Sequence, residues 1–342
     1  MKIICSIGPN IKNENDLDKF INSGMTTMRL NFSHVDYKKA KTQINYIKNN
    51  FPKIDVIQDL QGNKLRVSSI FKGQFKVKTG DKVAFCSEDF YKKVPFTKEI
   101  IYVPIAIDIN FNCLLSADKF LMKDSTMEFK IIKKSNNIIE TEVVRGGIIR
   151  GEKGINAPGM DRSMTNLTVK DKTDIDFGLK NGVDIICLSY TSTAKNIVEL
   201  KDYIKSKIEY KSNIKFPKIW AKIECKSGVN NFEEILEEVD GIMLGRGDLI
   251  SEIDILDIPE IEAKFIQAMK NINKELIIAT FILDSMKYST HPSIAEVETL
   301  ASFIKNKVNG VMLAGEVGVG KYPIKVIETT KKIIDKYKNT NI

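Results

Sequence analysis

Eight short apolar runs, separated by stretches of helical period, constrain the fold of this 342-residue chain more than any other feature. They are Lys2–Ile7, Thr26–Phe32, Asp55–Leu60, Asp184–Tyr190, Lys218–Glu224, Gly241–Leu244, Leu276–Ile282 and Gly310–Leu313. Each is rich in Ile, Val, Leu or Met and too short for a buried helix, so each reads as a strand covered on both faces. Helical patterns follow them in turn: Glu14–Ser23, Tyr37–Asn49, Lys170–Asn181, Ala194–Ile208, Asn231–Val239, Ile261–Asn273, Ile294–Lys307 and Ile324–Lys338. Eight strand–helix units of this kind predict a closed parallel (β/α)8 barrel of the TIM class rather than an open sheet.

The alternation breaks once, after the third run. From about Val67 to Pro158 the helical period vanishes and strand-like pieces follow one another: Gln74–Lys78, Lys82–Cys86, Ile100–Pro104, Lys119–Met122, Glu128–Lys133 and Ile138–Arg145. Gly80-Asp81, Ser135-Asn136-Asn137 and Gly146-Gly147 supply turn chemistry between them. A stretch of about 90 residues is too long for a plain loop. The expected division is a barrel from 1–66 and 159–342, with a small all-β domain inserted at 67–158. A loop at the C-terminal mouth of a barrel borders the active site, so the insert is a candidate lid, with a passive insertion as the alternative.

Composition removes several classes. With 43% hydrophobic and 28% charged residues, 20 Gly and 9 Pro, the chain has ordinary globular usage. No run of about 18 uncharged apolar residues occurs, so neither a membrane span nor a membrane partner is expected. The opening Met1-Lys2-Ile3-Ile4-Cys5-Ser6-Ile7-Gly8-Pro9 enters a strand directly, without an export signal. Cys5, Cys86, Cys113, Cys187 and Cys225 lack CxxC spacing and read as reduced thiols, so a cytoplasmic protein is expected. The net charge of +8 rests on Lys, because only Arg29, Arg66, Arg145, Arg150, Arg162 and Arg246 among the 52 basic residues are Arg. A base-reading surface would favour the planar fork of Arg, so no nucleic-acid partner is expected.

What each strand delivers at its C-terminal end carries the chemistry. The second run leads into Arg29-Leu30-Asn31-Phe32-Ser33-His34, and the third into Asp59-Leu60-Gln61-Gly62-Asn63-Lys64-Leu65-Arg66. The fifth ends in Lys222-Ile223-Glu224, the sixth in Gly245-Arg246-Gly247-Asp248, the seventh in Ala279-Thr280 and the eighth in Gly315-Glu316. Period two puts Lys222 and Glu224 on one face of an otherwise apolar strand, where two charges are costly unless paired or metal-bound. Acids without His or Cys nearby suit a hard cation such as magnesium, and the surrounding cations suit a phosphorylated substrate. The Gly-Arg-Gly-Asp turn is a weak anion-binding signal by itself. His34 alone reads as a structural hydrogen-bonding residue, and His291 before Pro292 is assigned nothing. The chain has neither a GxxxxGK[ST] loop nor a nucleophile elbow.

These blocks, taken in order with Lys153-Gly154-Ile155-Asn156-Ala157-Pro158-Gly159, Ser285-Met286 and Tyr322-Pro323, resemble the pyruvate kinase family over nearly the whole chain. The resemblance implies phosphoryl transfer from phosphoenolpyruvate to ADP, with magnesium or manganese held by Glu224 and Asp248. It implies Lys222 and Arg29 at the transferring phosphoryl and the amides around Gly247 and Asp248 at the substrate carboxylate. Thr280 would stand near the site of enolate protonation. Asn31, His34, Arg66 and Lys153 would follow the nucleotide phosphates. Potassium-requiring members carry Thr after the third-strand Asp and Glu five positions beyond it, in a region formed here by Asn31, Ser33 and Asp59. Here those positions are Leu60 and Lys64, so no potassium requirement is expected.

The departures from the family pattern are specific. The family's C-terminal effector domain has no counterpart before Ile342, so its allosteric control is expected to be missing. Gly245, Ile250 and Phe281 stand where Ala, Gly and Gln are usual, and Lys123-Asp124-Ser125 replaces an Asp-Asp-Gly of the lid. Ile294 stands where an Arg usually makes a subunit contact, which leaves assembly through the barrel open. Two alternatives also stay open: a related kinase acting on another small acid, and a non-catalytic paralogue.

Overall fold

A computed structural model describes residues 1–94, 100–107, 110–123, 125–209 and 215–338. Asp124 of the expected lid segment and residues 339–342 lie outside the described residues. Eight parallel strands close into a barrel: β1 (Lys2–Ser6), β2 (Thr27–Asn31), β3 (Asp55–Leu60), β4 (Ile185–Leu188), β5 (Lys218–Ile223), β6 (Gly241–Gly245), β7 (Glu275–Ala279) and β8 (Gly310–Leu313). Each pairs with its sequence neighbours, and β1 pairs with β8 through Lys2 opposite Gly310.

Side chains alternate across the strand, and the alternation divides the core into two layers. Ile4, Ile57, Ile185, Cys187, Trp220, Met243, Ile277 and Met312 fill the barrel lumen. Their neighbours Ile3, Cys5, Val56, Ile186, Ile219, Ala221 and Ile242 pack outward against the helices. Helix starts are fixed locally: Asn13 and Asp36 accept backbone N–H groups, and Thr168 and Ser293 form capping boxes. The helix expected at Asn231–Val239 spans Phe232–Glu237, and an additional short helix, Lys226–Asn230, precedes it, the two meeting at Asn231. The side chain of Asn231 turns away to donate to the Ser192 carbonyl at 2.8 Å.

The insert leaves the barrel after β3 and has its own hydrophobic core around Phe85, Phe120, Phe129 and Val103. Its main sheet has seven strands, bounded by Arg66–Val67 at one edge and Ile155–Asn156 at the other. It is not purely antiparallel β: Lys82–Ser87 and Ile101–Ala106 run parallel, and the connection between them carries a helical turn at Glu88–Tyr91. A parallel pair cannot be closed by a tight hairpin, which explains that turn. The incoming and outgoing chains lie side by side at the base, where the Ile155 amide donates to the Leu65 carbonyl at 2.9 Å. On the far side Ser125 meets Ser251 of the barrel, Oγ to Oγ, at 2.8 Å. Among the described residues no helix is long and apolar enough to cross a membrane.

Gly62 takes the chain from β3 towards the insert with φ of +60°, and its amide donates to Asp171 at 3.0 Å. A Cβ there would lie 2.1 Å from the Ser189 carbonyl oxygen, which is backbone and cannot step aside. Gly62→Ala should therefore lower the unfolding free energy by about 2–4 kcal/mol. Chemical denaturation with unchanged m-value is the measurement, and a loss below about 0.5 kcal/mol would contradict this packing.

Candidate active site

The lumen-facing parity of the strands continues past the apolar core to the C-terminal mouth, and there the residues become polar. Ile4 is followed by Ser6, Thr27 by Arg29, Ile57 by Asp59, Cys187 by Ser189, and Trp220 by Lys222 and Glu224. Asp59 is the hub. Its Oδ2 accepts from Arg29 Nε at 2.8 Å and from Arg29 Nη2, and lies 3.3 Å from Lys222 Nζ. Ser189 donates to Oδ1 at 2.9 Å, and Arg29 reaches on to Ser6 Oγ at 2.8 Å.

Burial alone would push the Asp59 carboxyl up, but Lys222 and Arg29 outweigh it and hold it below its ordinary value. Burial likewise works against the Lys222 ammonium, and Asp59 with Glu224 raises it above the usual lysine range. Lys222 Nζ is 2.9 Å from Glu224 Oε1, and the Tyr190 amide donates to Oε2 at 3.2 Å. Burial, aided by nearby Asp248 and opposed by Lys222, raises Glu224 to about 7. Gly245 on β6 leaves room for this carboxylate, since a Cβ there would sit 2.6 Å from Glu224 Cγ.

Asp248 follows β6 on the short helix Arg246–Leu249. Lys64 Nζ lies 2.8 and 2.9 Å from its two oxygens and holds it far below the ordinary carboxylate range despite burial. The Tyr190 hydroxyl also bonds Asp248 and accepts from Asn156 Nδ2 at 3.0 Å. On the seventh strand's turn, Thr280 and Phe281 both have positive φ, 67° and 51°. Arg246 holds that conformation by donating to the Thr280 carbonyl at 2.5 Å and the Phe281 carbonyl at 3.0 Å, while Glu262 pairs with its other end at 3.2 Å. Thr280 Oγ1 accepts the Gly247 amide at 2.9 Å.

These groups open onto a cavity of about 340 Å³ between barrel and insert. Arg29, Lys64, Arg66, Lys123, Lys153 and Lys222 line it against Glu224 and Asp248. Arg66 donates to the Glu152 carbonyl at 2.9 Å, and Lys153 to the Ile148 carbonyl at 2.5 Å. Burial and the charge of Arg66 lower His34 below the ordinary imidazole value. The Ser33 amide donates to Asn31 Oδ1 at 3.1 Å.

The structure thus gathers Arg29, Asn31, Ser33, His34, Lys64, Arg66, Lys153, Lys222, Glu224, Gly247, Asp248 and Thr280 around one cavity, with Asp59 beneath them. Two placements add to expectation. Lys64, expected in the region of Asn31, Ser33 and Asp59, lines the same cavity as Asn31 and Ser33 but pairs with Asp248, and Ile250 and Phe281 do not line the cavity, whereas Gly245 does. Sequence reading missed Tyr190, Asn156 and Ser189. It also missed the buried pair Arg162–Glu252 at 3.0 Å, whose guanidinium stacks 4.9 Å from the Tyr190 ring centre. Lumen parity after Cys187 was the signal available for Ser189; nothing comparable marks Tyr190, whose φ of 54° departs from strand geometry.

The family description "Pyruvate kinase, barrel domain" matches residues 1–327. The chain belongs to the pyruvate kinase family. It is 30% identical over 336 residues to the pyruvate kinase of Geobacillus stearothermophilus, and equally to that of Staphylococcus aureus strain MRSA252. Each alignment covers 97% of this chain and 56% of the relative, so the chain spans about half the length of these pyruvate kinases.

The donor chemistry fits the divalent cation that the pyruvate kinase family generally uses. Among the described residues no three His, Cys, Asp or Glu side chains cluster as a metal cage. Glu224 and Asp248 instead offer hard carboxylate oxygens at a cavity edge, the donor set of magnesium, which keeps positions for water and substrate oxygens. Glu224 raised to about 7 is an acid for which a cation nearby would offset both burial and Asp248.

Another buried acid lies outside the cavity. Glu316 is 1% exposed, its Oε1 has no hydrogen-bond partner among the described residues, and burial raises it to about 7 from an unfolded value of 4.5. Because the folded value is the higher one, its stabilising protonated form is fully present below about pH 4.5 and is lost as pH rises through 7. Glu316→Gln should stabilise the fold by about 3 kcal/mol at pH 8 relative to the parent protein, and by little at pH 4.5. Thermal melts across that range would show a gap that opens with pH; a constant gap would contradict the assignment.

Proposed function

We propose that the protein is a magnesium-dependent phosphotransferase that moves a phosphoryl group from phosphoenolpyruvate to ADP, giving pyruvate and ATP. The observation that carries this reading is Arg29 and Lys222 anchored together on buried Asp59, facing a cavity that also presents Glu224 and Asp248. A terminal oxygen of ADP attacks phosphorus, the bond from phosphorus to the enol oxygen breaks, and the electron pair remains on that oxygen. The resulting enolate takes a proton at its methylene carbon to become pyruvate. Charge migrates without large atomic movement, so fixed cations and exclusion of water supply most of the catalysis.

Lys222 and Arg29 are assigned to the transferring phosphoryl and the developing enolate charge. Glu224 and Asp248 are assigned to the divalent cation, which neutralises phosphoryl oxygens when bound. The turn at Gly247 and Asp248, with Thr280, is assigned to the substrate carboxylate, and Thr280 also to the enolate carbon. Asn31, His34, Arg66 and Lys153 are assigned to the nucleotide phosphates. The Lys64 ammonium supplies a fixed monovalent charge at the cavity that Asn31 and Ser33 also line, so potassium is dispensable. The insert acts as the lid. Of the three residues altered from the family pattern, Gly245, Ile250 and Phe281, the last two do not line the cavity, and the space left by Gly245 is taken by Glu224. That supports phosphoenolpyruvate as the donor.

Purified protein with magnesium, phosphoenolpyruvate and ADP should form pyruvate, and absence of turnover would refute the reading. Lys222→Met should lower kcat by at least about 100-fold while leaving the circular dichroism spectrum intact. A variant within about tenfold of the parent rate would remove Lys222 from the mechanism. Replacing potassium by tetramethylammonium at constant ionic strength should leave the parent rate unchanged; an enzyme silent without potassium would overturn the role given to Lys64.

A further inference from the structure

The two oxygens of Asp248 are both engaged by one ammonium, Lys64 Nζ, at 2.8 and 2.9 Å. The contact is partly buried, with the two side chains about a quarter exposed, at 23% and 22%. It is held from several sides. The Tyr190 ring centre lies 5.8 Å from Nζ, and the Lys64 Cε packs 3.2 Å from where a Cβ on Gly154 would stand. A magnesium ion needs a carboxylate oxygen at about 2.1 Å and repels a cation already chelated by the same group. A divalent ion taking an Asp248 oxygen must therefore displace the ammonium from at least that oxygen.

We propose that Lys64 is an intramolecular competitor for the divalent-cation site, occupying Asp248 until the metal displaces it; this rests on the assignment of Asp248 as a metal ligand. The pairing sets a cost on metal binding, because apparent affinity falls by the fraction of molecules in which Asp248 is free. Lys64 lies on the chain entering the insert, between β3 and Arg66–Val67, so its release occurs at the base of the insert.

Direct titration with Mn2+, read by loss of the free-ion electron paramagnetic resonance signal, tests this in the full chain without substrate at fixed ionic strength. Lys64→Met should bind Mn2+ roughly tenfold more tightly than the parent protein. Lys64→Gln should do the same, and serves if the Met variant does not fold. Lys123→Met removes a cation from the same cavity that is not paired with Asp248, and should leave the affinity nearly unchanged. Equal affinity in the parent and both Lys64 variants would overturn the competition while leaving the metal assignment standing. An equal gain in Lys123→Met would also overturn it, by showing a general charge effect. Asp248→Asn should abolish tight binding; parent-like binding in that variant would refute Asp248 as a ligand, and with it the functional reading.

Discussion

A single carboxylate with almost no access to water organises the mouth of this barrel. Asp59 joins Arg29 from β2, Ser189 after β4 and Lys222 from β5, so it ties together side chains from four strands of the ring. Removing it would leave two buried cations facing each other without compensation, a far larger penalty than the pair contributes when intact. The arrangement stabilises little by itself. Its consequence is position: two cations that would otherwise repel are held on the same side of one cavity, with their hydrogen-bonding geometry set before any substrate enters.

Everything above that carboxylate inherits its order. Lys222 lies between Asp59 and Glu224, so the second acid is neutralised in part from below and remains available from above. Tyr190 bridges the two acids of the rim, with its amide on Glu224 and its hydroxyl on Asp248. Arg162 and Glu252, almost fully enclosed, fill the space behind the tyrosine ring. A low-dielectric environment strengthens each of these contacts, and it equally punishes any member left without a partner.

Much of this was legible in the residues alone. The eight apolar runs gave the strands because burial on both faces leaves no polar alternation to confuse with a helix. Lys222 and Glu224 were visible because charge inside such a run is anomalous. Boundaries fared less well: the helix expected at Ile261–Asn273 begins three residues earlier, at Ile258, with Pro259 in its first turn. The insert's helical turn at Glu88–Tyr91 carries no periodic signal in four residues. Lys64 was expected in the region of Asn31, Ser33 and Asp59, but its pairing with Asp248 was not foreseen, since the loop after β3 has no period that says which acid it meets. Tyr190 was hidden because its role comes from a local departure from strand geometry, decided by packing rather than by residue type.

The alternation of side chains along the strands has a consequence for how such a chain can vary. Trp220, Lys222 and Glu224 reach the lumen only because they share parity, as do Ile57 and Asp59. Replacing Ile219 by Val would alter only a volume, and the layer could accommodate it. Inserting one residue between Trp220 and Lys222 would swap inside for outside from that point on, driving an ammonium among the helix-packed aliphatics and an isoleucine into the cavity. Between relatives, the lengths of these strands should be fixed more tightly than the identities of the apolar residues in them, and insertions should collect in the connections beyond the mouth.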